Sequence, residues 1–237
     1  MSVIWHDVEC GAYTEDLPLW CSLADEQGDP VLDVGAGTGR VALELARRGH
    51  RVTALDHDPL LLEALAARAA DLDVETVVAD AREFELHDRF SLCVVPMQTV
   101  QLLGGGAGRT HFLRCARRHL LRGGVLAVAI AEALELFDGS DGVPLPLPDI
   151  IERDGLVYSS QPTAVRLEHD RYVLERRRET MAADGTQSLA ADLISLDRLT
   201  VAELESEAAA VGLRCSGTAM IAATRDYVGS EVVILRA

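Results

Sequence analysis

The segment Val31-Leu-Asp-Val-Gly-Ala-Gly-Thr-Gly-Arg40 joins a short apolar run to a helical pattern through three glycines. Glycine lets the backbone of such a turn approach a ligand closely, because no Cβ stands in the way. The spacing is G-x-G-x-G, whereas a dinucleotide fingerprint places its third glycine one residue later, where Arg40 stands. The segment therefore predicts a strand-to-helix turn at a ligand site, with a tight turn that binds nothing as the alternative.

Apolar runs and helical patterns alternate on the carboxyl side of this turn. Runs of this kind are typical of strands buried on both faces of a parallel sheet. The last two runs follow a helical stretch near the carboxyl terminus and complete a count of seven. We expect an α/β fold, a Rossmann-like, doubly wound, seven-stranded sheet, with strands at 31–34, 52–55, 74–78, 90–95, 125–130, 213–219 and 231–235.

Three helices can be placed between these runs. Arg40, Glu44 and Arg48 recur at four-residue spacing, which predicts an amphipathic helix with i,i+4 ion pairs on its outer face. Asp58 followed by Pro59 is a typical helix start. A third helix is expected from Thr200 to Val211, with Glu203 as the capping-box partner of Thr200.

The pattern changes after residue 130. Residues 138–148 form a Gly- and Pro-rich loop, and shorter, more polar β-like runs follow at 156–161, 164–168, 172–180 and 188–196. An antiparallel β insert after the fifth strand is the simplest interpretation. Within it, the Arg176-Arg-Arg178 cluster predicts either a solvated strand face or an attraction for an acidic substrate.

Composition excludes several classes of function. The net charge is −16 with 38 acidic residues, and all 22 basic residues are arginine, which disfavours a nucleic-acid partner. Five cysteines without a C-x-x-C spacing predict neither a disulfide framework nor a metal site. The amino terminus lacks a secretory pattern, and the uncharged run 91–108 is too interrupted for a membrane span, so we expect a cytoplasmic protein.

Four features of the sequence occur in the same order as in a known family. Residues 31–40 resemble the first motif of the class I S-adenosylmethionine-dependent methyltransferases almost residue for residue. Asp56 ends the second run and Asp80 follows the third, where that family places acidic residues on the cofactor's ribose and adenine. The fourth run and the approach 118–124 to the fifth are also similar.

The resemblance implies a set of site residues. Asp56 would hold the ribose hydroxyls, Asp80 the adenine amino group, and Tyr13 would fold over the methionine end of S-adenosylmethionine. The full set of implied cofactor-binding residues is Tyr13, Gly35, Ala36, Gly37, Asp56, His57, Asp80, Ala81, Pro96 and Met97. The chain would be one methyltransferase domain over 1–237, with lid helices in 1–30, a core at 31–136 and 198–237, and the insert 137–197 over the acceptor site.

The fourth run ends in Val94-Val-Pro-Met-Gln98, unlike the Asn/Asp-Pro-Pro-aromatic motif of methyltransferases that act on bases. A small-molecule nitrogen or oxygen acceptor is therefore expected. The sulfonium already makes the methyl group electrophilic, so a general base is not strictly required. The candidates for acceptor orientation or proton removal are Gln98, Gln101, His6, His111 and His169.

Two other functions are compatible with the sequence. One is an NAD(P)-dependent oxidoreductase on the same doubly wound architecture, and the other is a non-catalytic scaffold that keeps the cofactor pocket. The sequence also leaves open whether the chain forms a homodimer.

Overall fold

The computed structural model describes residues 2–225 and 227–237. Two helices precede the first strand; whether they act as a lid, as predicted for 1–30, stays a prediction. The first half of the chain then alternates strands and helices. Its elements are α1 (Val3–Cys10), α2 (Leu17–Gln27), β1 (Val31–Val34), α3 (Arg40–Arg47), β2 (Val52–Asp56), α4 (Pro59–Ala69), β3 (Val74–Val78), β4 (Phe90–Val95), α5 (Gly105–His119) and β5 (Leu120–Ile130).

The second half contains the insert and the end of the core. Its elements are β6 (Phe137–Asp138), β7 (Asp149–Arg153), β8 (Leu156–Glu168), β9 (Arg171–Ala182), β10 (Gln187–Asp197), α6 (Val201–Ala210), β11 (Arg214–Ile221) and β12 (Ser230–Arg236). The two β runs expected at 156–168 are one strand with an irregularity after Pro162. The short strands β6 and β7 were not expected from the sequence.

The main sheet has seven strands in the order β11-β12-β5-β4-β1-β2-β3. Strands β1 to β5 are parallel, whereas β12 pairs antiparallel to both β5 and β11. The carboxyl ends of β1, β2 and β4 therefore meet at one edge, the usual ligand edge of such a sheet. The expected fold class, including an antiparallel insert after the fifth strand, is confirmed.

Both faces of the sheet are covered, which explains the unbroken apolar runs. Side chains of β1 alternate between two core clusters, with Val31 on the face of α2, α3 and α4, and Leu32 and Val34 on the face of α5 and α6. The alternation directs Asp33 to the Val31 side, where it is also fully buried. No helix in the described ranges has the length and apolarity needed to cross a bilayer.

The helix starts agree with the sequence, but the expected outer ion pairs of α3 do not form. Asp58 caps α4, and Thr200 forms the predicted capping box with Glu203. On α3, Arg40 turns inward to Asp16 and Arg48 pairs with Asp25. The i,i+4 prediction was wrong because carboxylates on and before α2 lie within reach of both arginines.

The insert forms its own antiparallel sheet, β10-β9-β8-β6, with β7 paired to β8. Its contact with the rest of the chain runs partly through Gln101, which is fully buried. The Gln101 side-chain amide donates to the carbonyls of Ala131 and Asp197 at 3.1 and 2.9 Å, and its oxygen accepts from Ala131 N at 2.8 Å. Every polar atom of this side chain is therefore used to tie the end of β5 to the end of β10.

We expect Gln101→Leu to lower the free energy of unfolding by about 2–4 kcal/mol, because it leaves three buried backbone groups without partners. Urea unfolding measures the effect. Gln98→Leu is the matched control: Gln98 is half-buried one helical turn earlier, and its substitution should change stability by less than about 0.5 kcal/mol. Equal stabilities of the two variants would contradict the bridging role.

Candidate functional site

The glycine turn at the end of β1 has a backbone that only glycine adopts easily. Gly35, Gly37 and Gly39 have φ values of 74°, 56° and 95°. A Cβ on Gly35 would lie 2.5 Å from the Thr99 methyl group, and a Cβ on Gly37 would overlap the His6 ring. The turn is therefore packed closely between the residues that follow β4 and the first helix of the chain.

Asp56 organises the carboxyl edge of the sheet. Its carboxylate is buried at the end of β2 and accepts from Gly37 N at 2.9 Å through one oxygen and from Asp58 N at 3.0 Å through the other. Each carboxylate oxygen can accept more than one hydrogen bond, so the two oxygens of Asp56 can still accept hydrogen bonds from the two hydroxyls of a diol. His57, beside it, is 85% exposed, with its Nδ1 at 3.2 Å from Asp56.

Asp80 follows β3 next to Asp56 and is held by an arginine two residues on. Arg82 donates through Nε and Nη2 to both carboxylate oxygens, and its backbone N–H donates to one of them at 2.8 Å. These hydrogen bonds lower the pKa of Asp80 to about 2. The carboxylate is ionised and fixed, with about a third of the side chain still exposed for a ligand.

The amino-terminal segment closes over the turn through Arg40, the residue that departs from the dinucleotide fingerprint. Arg40 donates to the Tyr13 carbonyl at 2.9 Å and pairs with both oxygens of the fully buried Asp16. Its guanidinium also lies 5.0 Å from the centre of the Tyr13 ring. Burial raises the pKa of Tyr13 to about 12, so its hydroxyl stays protonated.

Helix α1 lies between the glycine turn and the insert, and two buried carboxylates hold it there. Asp7 accepts from the Thr38 hydroxyl at 2.8 Å and pairs with Arg68 of α4 and Arg153 of β7. Although burial opposes ionisation of Asp7, the hydrogen bonds from Arg68, Thr38 and Arg153 lower its pKa. The helix is thereby joined to the core on one side and to the insert on the other.

Glu9 makes the second connection. It accepts from Ser160 at 2.7 Å and from Arg178 at 2.7 and 2.9 Å, and Arg176 in turn donates to Ser160 and pairs with Asp149. The prediction of a solvated arginine face was wrong for Arg176 and Arg178, which point toward α1. Of these three arginines, only Arg177 is exposed. The other two are covered because this face of the insert packs on α1, which carries Glu9.

His6 has the geometry of a neutral imidazole with one free nitrogen. Its Nδ1 lies 3.2 Å from the Thr38 hydroxyl oxygen, and that hydroxyl already donates its proton to Asp7. Nδ1 must therefore donate to Thr38, which leaves Nε2, the atom nearest Gly37, as an acceptor. Burial lowers the pKa of His6 below its usual value, which favours the neutral ring at neutral pH.

The structure brings some of the predicted residues together and separates others. Tyr13, the glycine turn, Asp56, Asp80 and the Pro96–Met97 segment all lie at or beside the carboxyl edge of the sheet. Ala36 and Pro96 are buried there, Met97 is half-buried with φ of 55°, and Ala81 is half-buried after Asp80. Gln98 begins the short helix Thr99–Leu102 near Met97.

Three candidates for catalysis lie elsewhere. Gln101 is fully occupied as the bridge described above, because the ends of β5 and β10 both need its amide. His111 is exposed on α5 and lines a cavity with Arg89, Leu120 and Arg122 at the opposite edge of the sheet. His169 is an exposed turn residue between β8 and β9 with φ of 56°. The structure does not bring these three side chains to the glycine turn.

Sequence reasoning missed Asp33, the acidic residue two positions before the glycine turn. It is fully buried on β1, and its Oδ1 has no hydrogen-bond partner in residues 2–225 and 227–237. Burial raises its pKa to about 7, although Arg40 and the Ala42 N–H oppose the shift. Its place in an otherwise apolar strand, two positions before the glycine turn, was the available signal.

Comparisons with known proteins relate part of this chain to methyltransferases. Residues 31–124 match the family model described as a methyltransferase domain. The cypemycin N-terminal methyltransferase of Streptomyces sp is 31% identical over 134 residues, which cover 56% of this chain and 54% of that protein. The chain thus spans about half the length of that relative.

Over residues 31–124 the chain is thus similar to a methyltransferase domain. Solved structures show the same fold over the whole chain. CalS10, an amino pentose methyltransferase from Micromonospora echinaspora, has a TM-score of 0.75 at 20% identity and covers 100% of this chain and 97% of its own. The sugar N-methyltransferase KedS8 from Streptoalloteichus sp has a TM-score of 0.74 at 16% identity, covering 98% and 91%.

The family, the fold class and the cofactor expected from the sequence are therefore confirmed. The family uses S-adenosylmethionine, and CalS10 was solved with it bound. The residues present here fit this cofactor: Asp56 and Asp80, at the ends of the neighbouring strands β2 and β3, are acceptors for the donors of a ribose diol and an adenine amino group, and the glycines leave the backbone of the turn without Cβ atoms.

Asp33 gives a pH-dependent prediction. Its folded pKa of about 7 exceeds the ordinary value of 3.8, so its contribution to stability is complete below about pH 4 and is lost as pH rises through about 7. Asp33→Asn lacks this ionisation, and its stability relative to the wild type should rise by about 1–4 kcal/mol between pH 4 and 8.

Urea unfolding at several pH values measures that difference. Asp88→Asn is the control, because Asp88 is half-exposed and forms a long ion pair with Arg51 at 3.6 Å. Parallel pH profiles for Asp33→Asn and the wild type would contradict a raised pKa at Asp33.

Proposed function

We propose that this chain transfers the methyl group of S-adenosylmethionine to an amino nitrogen of a small molecule. The observation that carries the proposal is the position of His6, whose acceptor nitrogen faces the glycine turn. The names of the relatives support the nitrogen: one is an N-terminal methyltransferase, one acts on an amino pentose and one is a sugar N-methyltransferase. The sequence predicts a nitrogen or an oxygen as the methyl acceptor, and the proposal is limited to nitrogen.

The carboxyl edge of the sheet would bind the cofactor. Asp56 would accept from the ribose hydroxyls and Asp80 from the adenine amino group, while Gly35, Ala36 and Gly37 let the methionine portion pass close to the backbone. Tyr13 would cover that portion, with Met97 and Pro96 beside the adenine. When bound, S-adenosylmethionine supplies an electrophilic methyl group on a sulfonium.

The remaining task of the protein is to present an unprotonated amine. An aliphatic ammonium has no lone pair for attack, so its proton must leave first. His6 would accept it through Nε2, since Thr38 and Asp7 hold the ring in that tautomer. The Asp7 carboxylate would then stabilise the imidazolium through Thr38, and the burial that lowers the pKa of His6 also favours release of the proton to water.

The insert and the lid helix support a small acceptor. Helix α1 is held against the glycine turn by Asp7 and against the insert by Glu9, so both elements would border the path of an acceptor toward the turn and would favour a small molecule. The negative net charge also disfavours nucleic acid.

Asp56→Asn should weaken binding of S-adenosylhomocysteine by about 1.5–3 kcal/mol, because the amide has a single acceptor oxygen to share among two backbone groups and the ribose. Isothermal titration calorimetry measures the affinity. Asp71→Asn, at an exposed site after α4, is the control and should bind as the wild type does. Unchanged affinity of folded Asp56→Asn would mean that other groups hold the ribose.

The acceptor is tested with paired compounds. Amino sugars and their hydroxyl analogues are incubated with the full chain and S-adenosylmethionine, and the gain of one methyl group is followed by mass spectrometry. We expect methylation of amines alone. His6→Gln should lower turnover at neutral pH by about 10- to 100-fold and shift the pH profile upward, toward the pKa of the acceptor amine, while S-adenosylhomocysteine affinity stays within about three-fold.

Methylation of the hydroxyl analogues, or of protein or RNA in preference to the amines, would contradict the proposed acceptor. A His6→Gln profile identical in shape to the wild type would contradict proton removal by His6. Cofactor binding without turnover on any amine would favour the scaffold alternative.

A further inference from the structure

A second concave site lies at the edge of the sheet opposite to the glycine turn. A cavity of about 650 Å³ is formed by the carboxyl-terminal half of α5, the first residues of β5 and the residue before β4. Half of its lining residues are arginines. We call this site the arginine basin, formed by Arg82, Arg89, Arg114, Arg117, Arg118 and Arg122.

The charge of the basin is opposite to that of the protein. The chain has a net charge of −16, yet no acidic residue of the described chain lines the basin. His111 adds a further group that becomes cationic when protonated. Guanidinium groups around a concave, low-dielectric surface reinforce one another's field, and they attract anions more strongly than isolated surface arginines do.

Most of these arginines lack the carboxylate partners that arginines have elsewhere in the structure. Eleven arginines outside the basin pair with a carboxylate within 4.0 Å. In the basin, Arg82 pairs with Asp80, whereas Arg117 donates to a carbonyl and Arg118 to a thiol.

The other three basin arginines have fewer side-chain contacts. The side chains of Arg89, Arg114 and Arg122 are exposed, and their guanidinium groups have no hydrogen bond or ion pair with any residue in 2–225 or 227–237. Three guanidinium groups with all their donors available therefore face one concavity.

The dimensions and the donors indicate the ligand. A volume of about 650 Å³ lies in the usual range for small-molecule sites, roughly 300–1,000 Å³. Guanidinium groups bind phosphate oxygens in a bidentate manner, and several of them can hold several phosphate groups at once. We infer that the arginine basin binds a small anion with two or more phosphate groups, separately from the cofactor and the acceptor.

The surroundings disfavour a longer polyanion. Glu83, Glu85 and Asp88 are exposed on the loop that leads to Arg89, just outside the lining. They would repel a nucleic acid strand that extended beyond the basin, whereas a compact polyphosphate fits inside the ring of arginines. The inference does not depend on the proposed acceptor, because no residue of the glycine turn and neither Asp56 nor Asp80 lines the basin.

The test is calorimetric titration of the full chain with tripolyphosphate, pyrophosphate, ADP and inorganic phosphate. The chain is first saturated with S-adenosylhomocysteine, so that the cofactor site is filled. We expect one tripolyphosphate per chain, with a Kd below about 100 µM at low ionic strength and much weaker binding of inorganic phosphate. ADP that binds no more tightly than pyrophosphate identifies a free polyphosphate, and tighter ADP binding that depends on the basin identifies a nucleotide.

The R89A/R114A/R122A variant should lose at least about ten-fold in tripolyphosphate affinity. The matched control, R47A/R177A/R198A, removes three exposed arginines from other parts of the chain and should stay within about two-fold. Arg82 is left intact because it holds Asp80. The single variant Arg114→Glu should weaken binding in the same direction with minimal disturbance of the fold.

Three results would overturn the inference. The first is the absence of saturable binding of tripolyphosphate, pyrophosphate and ADP. The second is equal weakening in the matched control, which would indicate a diffuse effect of net charge. The third is tighter binding of single-stranded RNA than of tripolyphosphate, lost in the basin variant, which would assign the surface to a nucleic acid. Affinity of the basin variant for S-adenosylhomocysteine should equal that of the wild type.

Discussion

The two buried carboxylates of α1 are the constraint on which the rest of the site depends. Asp7 and Glu9 sit on one short helix, yet their partners come from α4, the glycine turn and the insert. Buried charges are tolerated only when they are paired and hydrogen-bonded, and removing one partner of such a pair costs about 3–5 kcal/mol. The helix can therefore occupy only one position, and that position carries His6 to the turn.

Arg40 shows how one residue adapts a common turn to a different use. Arg40 stands where the dinucleotide fingerprint has a glycine for close packing of the helix on the strand, and its guanidinium reaches back to Asp16 and the Tyr13 carbonyl. The amino-terminal segment is thus fastened over the turn by the helix that the turn begins. The same sheet then has two edges of different character, with Asp56 and Asp80 at one and the arginine basin at the other.

Local signals predicted a large part of this architecture. Apolar runs predicted the positions of the core strands along the chain. Asp58 and Pro59 predicted the start of α4, and Thr200 with Glu203 predicted the start of α6. These features depend on the residue itself and its near neighbours along the chain, so they can be read without coordinates. The motif register further predicted which strand ends would meet, because parallel strands place their carboxyl ends at one edge.

The partners of individual side chains could not be predicted from the sequence. Spacing suggested that Arg40 and Arg48 would pair along α3, and that Arg176 and Arg178 would face solvent, but carboxylates distant in the chain lay closer once the chain folded. His6, Asp33 and the basin arginines likewise gain their properties from burial and from neighbours far away in sequence. The sequence by itself determined the sheet and the edge where its motifs meet, since both follow from local periodicity and motif. Only the tertiary structure decided which charges meet, because electrostatic pairing depends on distance in space.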